Sequence, residues 1–365
     1  MAEQTVLAAD SLAAGYGKNI IVDGLQFSLS RGEILTLIGA NGAGKSTVLR
    51  TIAAQLPAVS GSVSLGGKRL TDLRENEIAR QMAVLLTERL RTERMSCEDV
   101  VETGRYPYTG RLGILSAQDR KVVAEAMELT GVTHLRAQDF RQISDGQRQC
   151  VMLARAIAQE PAVLLLDEPT SFLDIRHKLR LLTLLRELVR DRNVAVVQSL
   201  HELDLAQKFS DRLLCIKNGR ADRIGTPEEI FSGEIISELY GLPAGSYNTL
   251  YGVAEPESVP GAPEVFVIGG GGNGIPVYRR LQRQGIPFAA GILHENDIDY
   301  PAAKALAAVL ISEQAFEPIG DAALERAREV MRGCKRVICC VDSFGTMNRG
   351  NEQLLSDARK AGLLE

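Results

Sequence analysis

The run Gly39-Ala40-Asn41-Gly42-Ala43-Gly44-Lys45-Ser46-Thr47 satisfies the pattern GxxxxGK[ST] and stands between the apolar run Ile34–Ile38 and a stretch of helical character. That context turns a glycine-rich turn into a phosphate cradle. Glycines let consecutive backbone N–H groups point inward, and the helix N-terminus adds a favourable dipole. Lys45 would reach the β- and γ-phosphates, while the Ser46 hydroxyl would ligate Mg²⁺. A second pair of groups completes the chemistry. The apolar run Ala162–Leu166 delivers Asp167 and Glu168 to the carboxyl end of what looks like a buried parallel strand, the edge where open α/β sheets bind ligands. Asp167 is placed to hold the metal and Glu168 to polarise an attacking water as general base. The chemistry implied is hydrolysis of a bound nucleoside triphosphate.

The elements that must position these groups alternate between strand and helix. Residues 5–40 form short β-like runs broken by Gly15, Gly17, Gly24 and Gly32, a glycine-rich hairpin follows at 59–70, and a charged, helix-rich stretch extends to about 160. A helix at 175–190 and the strand Val194–Ser199 continue the βα alternation, which defines an α/β domain. Near 243–263 the texture changes to Pro243, Pro256, Pro260 and Pro263 among Gly, Ser and Glu, with no period of 2 or 3.6. A linker is expected there. The organisation predicted is an ATPase domain over 1–245, a linker over 246–262 and a smaller Rossmann-like α/β domain over 263–365, with strands near 264–268, 286–293, 307–311 and 336–341.

Composition narrows the classes. The chain has 365 residues, a 45% hydrophobic fraction and a net charge of −4, enough apolar material for packed cores and no electrostatic reason to bind nucleic acid or anionic lipid. No basic and apolar leader and no spanning stretch of roughly 18 apolar residues is visible. A chain soluble by itself is expected, with membrane association through a protein partner. Six cysteines at 97, 150, 215, 334, 339 and 340 fit neither a zinc site nor a disulfide framework and read as reduced packing thiols.

Gln142-Ile143-Ser144-Asp145-Gly146-Gln147-Arg148-Gln149 resembles the LSGGQ signature of the ABC ATPases, and with the phosphate loop and the Asp167–Glu168 pair it identifies residues 1 to about 240 as similar to that family. The resemblance implies ATP and Mg²⁺ as ligands and a head-to-tail homodimer, in which Ser144, Asp145, Gly146 and Gln147 face the ATP of the opposite protomer. It implies that Tyr16 stacks on adenine, that Asp174 belongs to the D-loop and that His201 is the switch histidine sensing the γ-phosphate. The segment Val100–Gly110, with Arg105-Tyr106-Pro107, resembles the helical subdomain of importers for iron–siderophore, haem and cobalamin. An integral-membrane permease is therefore the expected partner, a substrate-binding protein acts indirectly, and the expected location is the cytoplasmic face of the membrane. Two departures stand out: Asp145 replaces the second signature glycine, and Thr87 occupies the place of the Q-loop glutamine, followed by Glu88. Both point toward slowed hydrolysis or altered coupling, so a soluble or regulatory ABC-type ATPase is the alternative.

In the second domain, Gly269-Gly270-Gly271-Gly272-Asn273-Gly274 fits GxGxxG after a strand, with Glu295 near the spacing of a ribose-binding acid. A nucleotide or dinucleotide, another small ligand, and a structural or assembly role all stay open. His294 is a loop residue by default.

Overall fold

The computed structural model describes residues 5–86, 94–110, 113–231, 234–243, 246–248 and 252–365. Thr87 and Glu88 lie outside these. Contacts divide the chain into two compact units, Met1–Ser232 and Gly233–Glu365. The division falls before the expected linker, and residues 246–262 contain a short hairpin rather than only irregular chain.

The first unit carries strands β1 (Thr5–Tyr16), β2 (Asn19–Ser30), β3 (Ile34–Ile38), β4 (Ser60–Leu65), β5 (Lys68–Arg69), β6 (Met82–Leu85), β7 (Val163–Leu166), β8 (Ala195–Ser199), β9 (Arg212–Lys217) and β10 (Arg220–Gly225). Its helices are α1 (Lys45–Ile52), α2 (Glu75–Ala79), α3 (Cys97–Glu102), α4 (Ala117–Leu129), α5 (Asp145–Ala158), α6 (Ile175–Arg192), α7 (Leu203–Phe209) and α8 (Pro227–Ile230). Among the described residues the sheet order is β5-β4-β1-β2-β10-β9-β3-β8-β7-β6. Its parallel half, β9-β3-β8-β7-β6, is buried on both faces, which is why β7 is wholly apolar and β3 is apolar at every position but Thr36. One expectation is corrected. The short β-like runs of 5–30 merge into two twelve-residue strands, β1 and β2. Register shifts absorb the glycines: Gly24 sits inside β2 at φ +70°, a conformation that glycine adopts without steric cost.

Helices α3, α4 and α5 pack on one another as a helical subdomain. Its hub is Arg105, from the Arg105-Tyr106-Pro107 segment, which is 4% exposed. The guanidinium donates to Asp119 Oδ1 at 2.9 Å, to the Ala158 carbonyl at 2.8 Å and to Glu160 Oε2 at 2.7 Å, and packs 4.1 Å from the Tyr108 ring centre. It thereby ties the start of α4 to the end of α5. Arg105→Met is expected to cost about 3–5 kcal/mol, because it leaves a buried carboxylate unpaired, and chemical unfolding of the full chain measures this. Ser116 and Arg105 hold the Asp119 carboxyl below its ordinary value. Its contribution is therefore complete above about pH 4 and is lost as the pH falls through the depressed value. Arg105→Met should show a shallower acid limb.

The second unit holds α9 (Ile235–Tyr240), the hairpin β11 (Tyr247–Asn248) and β12 (Val253–Ala254), then β13 (Val265–Ile268), α10 (Ile275–Arg283), β14 (Phe288–His294), α11 (Asp299–Leu306), β15 (Val309–Glu313), α12 (Asp321–Arg332), β16 (Arg336–Cys339) and α13 (Arg349–Lys360). Four parallel strands run β15-β14-β13-β16, a Rossmann-like order with the switch point between β13 and β16. One layer of its core lies on either side of the sheet.

Candidate functional site

The loop after β3 turns back so tightly that a Cβ on Gly39 would stand 2.4 Å from the Ile216 carbonyl oxygen, and one on Gly44 2.4 Å from Val22. Both glycines have positive φ. The loop thus depends on glycine for conformation as well as for space. Lys45 opens α1, is 5% exposed, and donates to the Gly39 carbonyl at 2.8 Å and the Ala40 carbonyl at 3.2 Å. Burial pushes its pKa down, with Glu168 and Asp167 acting in the opposite direction.

Facing this loop, a cavity of about 410 Å³ is lined by Tyr16, Ile21, Asn41, Gly42, Gly44, Lys45, Ser46, Thr47, Glu168 and His201. Residues far apart in sequence meet here because β1, β3, β7 and β8 end near one another. Tyr16 is 51% exposed, so its ring is available for stacking. Ala43 is partly buried against the apolar core.

Asp167 follows β7 and is 2% exposed; Ser199 Oγ donates to its Oδ1 at 2.8 Å. The same Ser199 hydroxyl accepts from the Glu168 N–H at 2.9 Å. Glu168 has φ +50°, a strained setting for a side chain of its size. Its Oε1 lies 2.5 Å from His201 Nε2 and its Oε2 accepts from Ser171 Oγ at 3.1 Å. Ser46 and Asp167 are both hard oxygen donors, which suits Mg²⁺; when bound, that ion would neutralise phosphate charge. Ser199, Ser171 and Gln149, whose amide donates to the Pro169 carbonyl at 3.2 Å, escaped the sequence reading. Ser199 alone left a signal, as a polar residue closing an apolar strand two positions before His201.

The signature residues are elsewhere. Ser144 caps α5 through a reciprocal pair: its Oγ accepts from the Gln147 N–H at 3.3 Å, and Gln147 Oε1 accepts from the Ser144 N–H at 3.0 Å. With Asp145 and Gly146 they line a different cavity of about 480 Å³, together with Phe172, Leu173, Asp174 and His177. Asp174 caps α6, accepting from the His177 N–H at 2.9 Å. Asp145 is ion-paired to Arg148, which also donates to the Ile143 carbonyl at 3.3 Å and lies over the Phe140 ring. The extra carboxylate is thus matched by a cation within the same helical turn.

In the second unit, the chain itself engages the N–H groups of Gly270, Gly271, Asn273 and Gly274 in the glycine loop. Asp299, fully buried, accepts from Gly270 at 2.7 Å, Gly274 at 2.8 Å and Ile275 at 3.2 Å. Asp297 accepts from Gly271 at 3.0 Å. A Cβ on Gly269 or Gly274 would stand 2.1 or 2.4 Å from the Tyr278 hydroxyl, so those two glycines answer to an internal tyrosine. Gly271 faces open space at φ +64°. Glu295 is exposed immediately after β14, and its N–H donates to the Glu313 carbonyl at 3.0 Å. Two internal carboxylates therefore already engage the N–H groups of Gly270, Gly271, Gly274 and Ile275.

A glycine cradle with a buried lysine, facing Glu168 and His201 at the carboxyl edge of a parallel sheet, defines a phosphate-loop nucleoside triphosphate hydrolase. Comparison with known proteins narrows the class. The ABC transporter family matches residues 22–171 and the MJ0874 family residues 288–364. An ABC transporter ATP-binding protein of Methanocaldococcus jannaschii is 43% identical over 79% of this chain and 100% of its own length. The cobalamin import ATP-binding protein of Halobacterium salinarum is 33% identical over 82% of this chain and 77% of its own. The ferric enterobactin transport ATP-binding protein of Escherichia coli is 36% identical over 65% and 87%. A solved metal-chelate type ABC transporter in an inward-facing conformation is similar with TM-score 0.58 and 27% identity, over 66% of this chain and 90% of that one. The chain belongs to the ABC transporter ATP-binding protein family and is an ATP-hydrolysing enzyme.

Proposed function

We propose that the chain is the motor subunit of an importer for metal-chelate or corrinoid solutes, of the iron–siderophore, haem or cobalamin kind. It works as a head-to-tail homodimer on an integral-membrane permease at the cytoplasmic face, with a substrate-binding protein acting indirectly. The observation that carries the dimer is the separation of the two halves of the ATP machinery. Tyr16, Lys45, Ser46, Glu168 and His201 share one cavity, while Ser144–Gln147 line another. A second copy supplies the missing half. The relatives' roles in cobalamin and enterobactin transport support the solute class. Among the described residues no helix is long and apolar enough to cross a membrane.

In this reading the phosphate loop and Lys45 bind ATP, and Ser46 with Asp167 would hold Mg²⁺. Glu168 accepts the proton of the attacking water, while His201 orients Glu168 and contacts the γ-phosphate. The test is recovery of the tagged chain from detergent-solubilised membranes, with uptake assays in a deletion strain. A chain that recovers no integral-membrane partner, in a strain whose siderophore, haem and cobalamin uptake is unchanged, overturns the importer role.

The Asp145–Arg148 pair makes a further prediction. Arg148→Ala leaves the carboxylate uncompensated toward the partner's triphosphate, and ATP-driven dimerisation should weaken on the order of tenfold, the scale of one unit charge across several ångströms of intermediate dielectric. Size-exclusion chromatography across an ATP titration measures it. Asp145→Gly in the same background should restore dimerisation.

A further inference from the structure

The switch loop after β8 is anchored by groups that the hydrolysis chemistry does not itself use. Glu202, adjacent to His201, is absent from the lining of the nucleotide cavity. Its Oε2 accepts from Thr170 Oγ1 at 2.9 Å, and its Oε1 accepts from the Lys178 ammonium. The side chains of Glu202 and Lys178 are 29% and 22% exposed, shielded enough for the pair to exceed an ordinary surface ion pair. Burial pushes the Glu202 carboxyl up, and the bonds from Lys178 and Thr170 more than reverse this, leaving it below its ordinary value. Although Glu202 occupies the N-cap position of α7, its side chain makes no capping bond. The carboxylate is committed to Thr170 and Lys178 instead.

Those two partners belong to the segments that matter most for timing. Thr170 lies two residues beyond Glu168, in the turn whose Pro169 carbonyl is held by Gln149 of the signature helix α5. Lys178 stands in the first turn of α6, its N–H donating to the Asp174 carbonyl at 2.9 Å. The residues leading into that turn include Phe172 and Ile175, 80% and 64% exposed. One carboxylate therefore joins the loop bearing His201, the turn bearing Glu168 and the exposed start of α6.

We propose that Glu202 is the positioning residue of the switch loop. Held between Thr170 and Lys178, it fixes the backbone on which His201 reaches Glu168, and it makes the His201–Glu168 contact responsive to displacement of residues 171–178. A surface movement at Phe172 or Ile175 is thereby transmitted to the catalytic carboxylate through Lys178. The inference rests on the reading that Glu168 and His201 carry out hydrolysis.

The experiment uses the full chain in single-turnover ATPase assays with enzyme in excess, so that small residual rates are measurable. Glu202→Ala and Lys178→Met are each made alone, together, and in a His201→Ala background. Glu202→Ala is expected to lower the hydrolysis rate on the order of ten- to a hundredfold, the scale of a misplacement of about 1 Å, with ATP affinity nearly unchanged. Lys178→Met should behave similarly, and the double variant should be no slower than Glu202→Ala. In the His201→Ala background Glu202→Ala should add no further loss. A wild-type rate for Glu202→Ala, or the same proportional loss with and without His201, overturns the assignment. Glu202→Gln, which keeps length and the Thr170 bond, is expected to retain an intermediate rate and carries the same test should the alanine variant fold poorly. Glu168→Gln serves as the control: a wild-type rate for that variant removes the underlying reading of the site, whereas its loss of turnover beside a normal Glu202→Ala removes only the positioning role.

Discussion

Glu168→Gln is expected to bind ATP as the wild type does while hydrolysis falls by roughly two orders of magnitude or more, the scale of a lost general base. The substitution keeps the side chain's shape and leaves the Ser199 bond to the backbone N–H of residue 168 in place. It removes the proton acceptor that His201 and Ser171 hold from either side. Nucleotide binding and turnover are measured separately, by fluorescence titration and phosphate release. Lys45→Ala provides the contrast, because removing the buried ammonium at the loop should abolish binding itself. If Glu168→Gln releases phosphate at the wild-type rate, the proton acceptor lies elsewhere.

Asp299→Ala should destabilise the second unit by about 3 kcal/mol or more, since three backbone N–H groups, of Gly270 in the loop and of Gly274 and Ile275 at the start of α10, lose their acceptor in a buried setting. The full chain is the right object. Hydrogen exchange across β13 and α10 should rise steeply, while ATPase activity, which depends on residues of the first unit, persists below the transition. Asp299→Asn retains an acceptor and should lose less. Because Asp297 and Asp299 already engage the N–H groups of Gly270, Gly271 and Gly274, added inorganic phosphate or NAD is expected not to shift unfolding of the wild type. A clear upward shift with either would show that a ligand displaces the carboxylates. Unchanged exchange in Asp299→Ala would show that the loop does not depend on them.

The contrast between the two glycine-rich loops shows how far local pattern carries. Both follow an apolar strand and precede a helix, and both satisfy a phosphate-binding spacing. At Gly39–Thr47 the acidic pair, Asp167 and Glu168, follows β7, which β8 separates from β3, and Glu168 lines the cavity opposite the loop. At Gly269–Gly274 the acids Asp297 and Asp299 come from the next βα turn and bind the loop directly. Sequence spacing does not distinguish an acid that faces a loop across a cavity from one that binds the loop's own N–H groups. The same holds for Asp145: beside a phosphate site a carboxylate reads as a liability, and only the side-chain direction shows it turned onto Arg148. The long strands β1 and β2 escaped the sequence reading because glycines that normally end strands are absorbed there as register shifts.

By itself the sequence determined the chemistry, because the phosphate loop, the signature and the Asp167–Glu168 pair are contiguous motifs whose residue types have few other uses. It also determined the α/β class, since strands buried on both faces are mostly apolar over a short run, whereas helices alternate apolar and polar faces. Tertiary structure alone decided which groups meet. Ser199 under Asp167 and Glu168, Glu202 between Thr170 and Lys178, and Asp299 inside the glycine loop are contacts between residues 24 apart, for Lys178 and Glu202, and up to 32 apart, for Asp167 and Ser199. The physical reason is that hydrogen bonds of this kind depend on strand register and helix entry angle to within a few tenths of an ångström. No pattern of residue types along the chain encodes that precision, which is set by how the sheet and its helices pack.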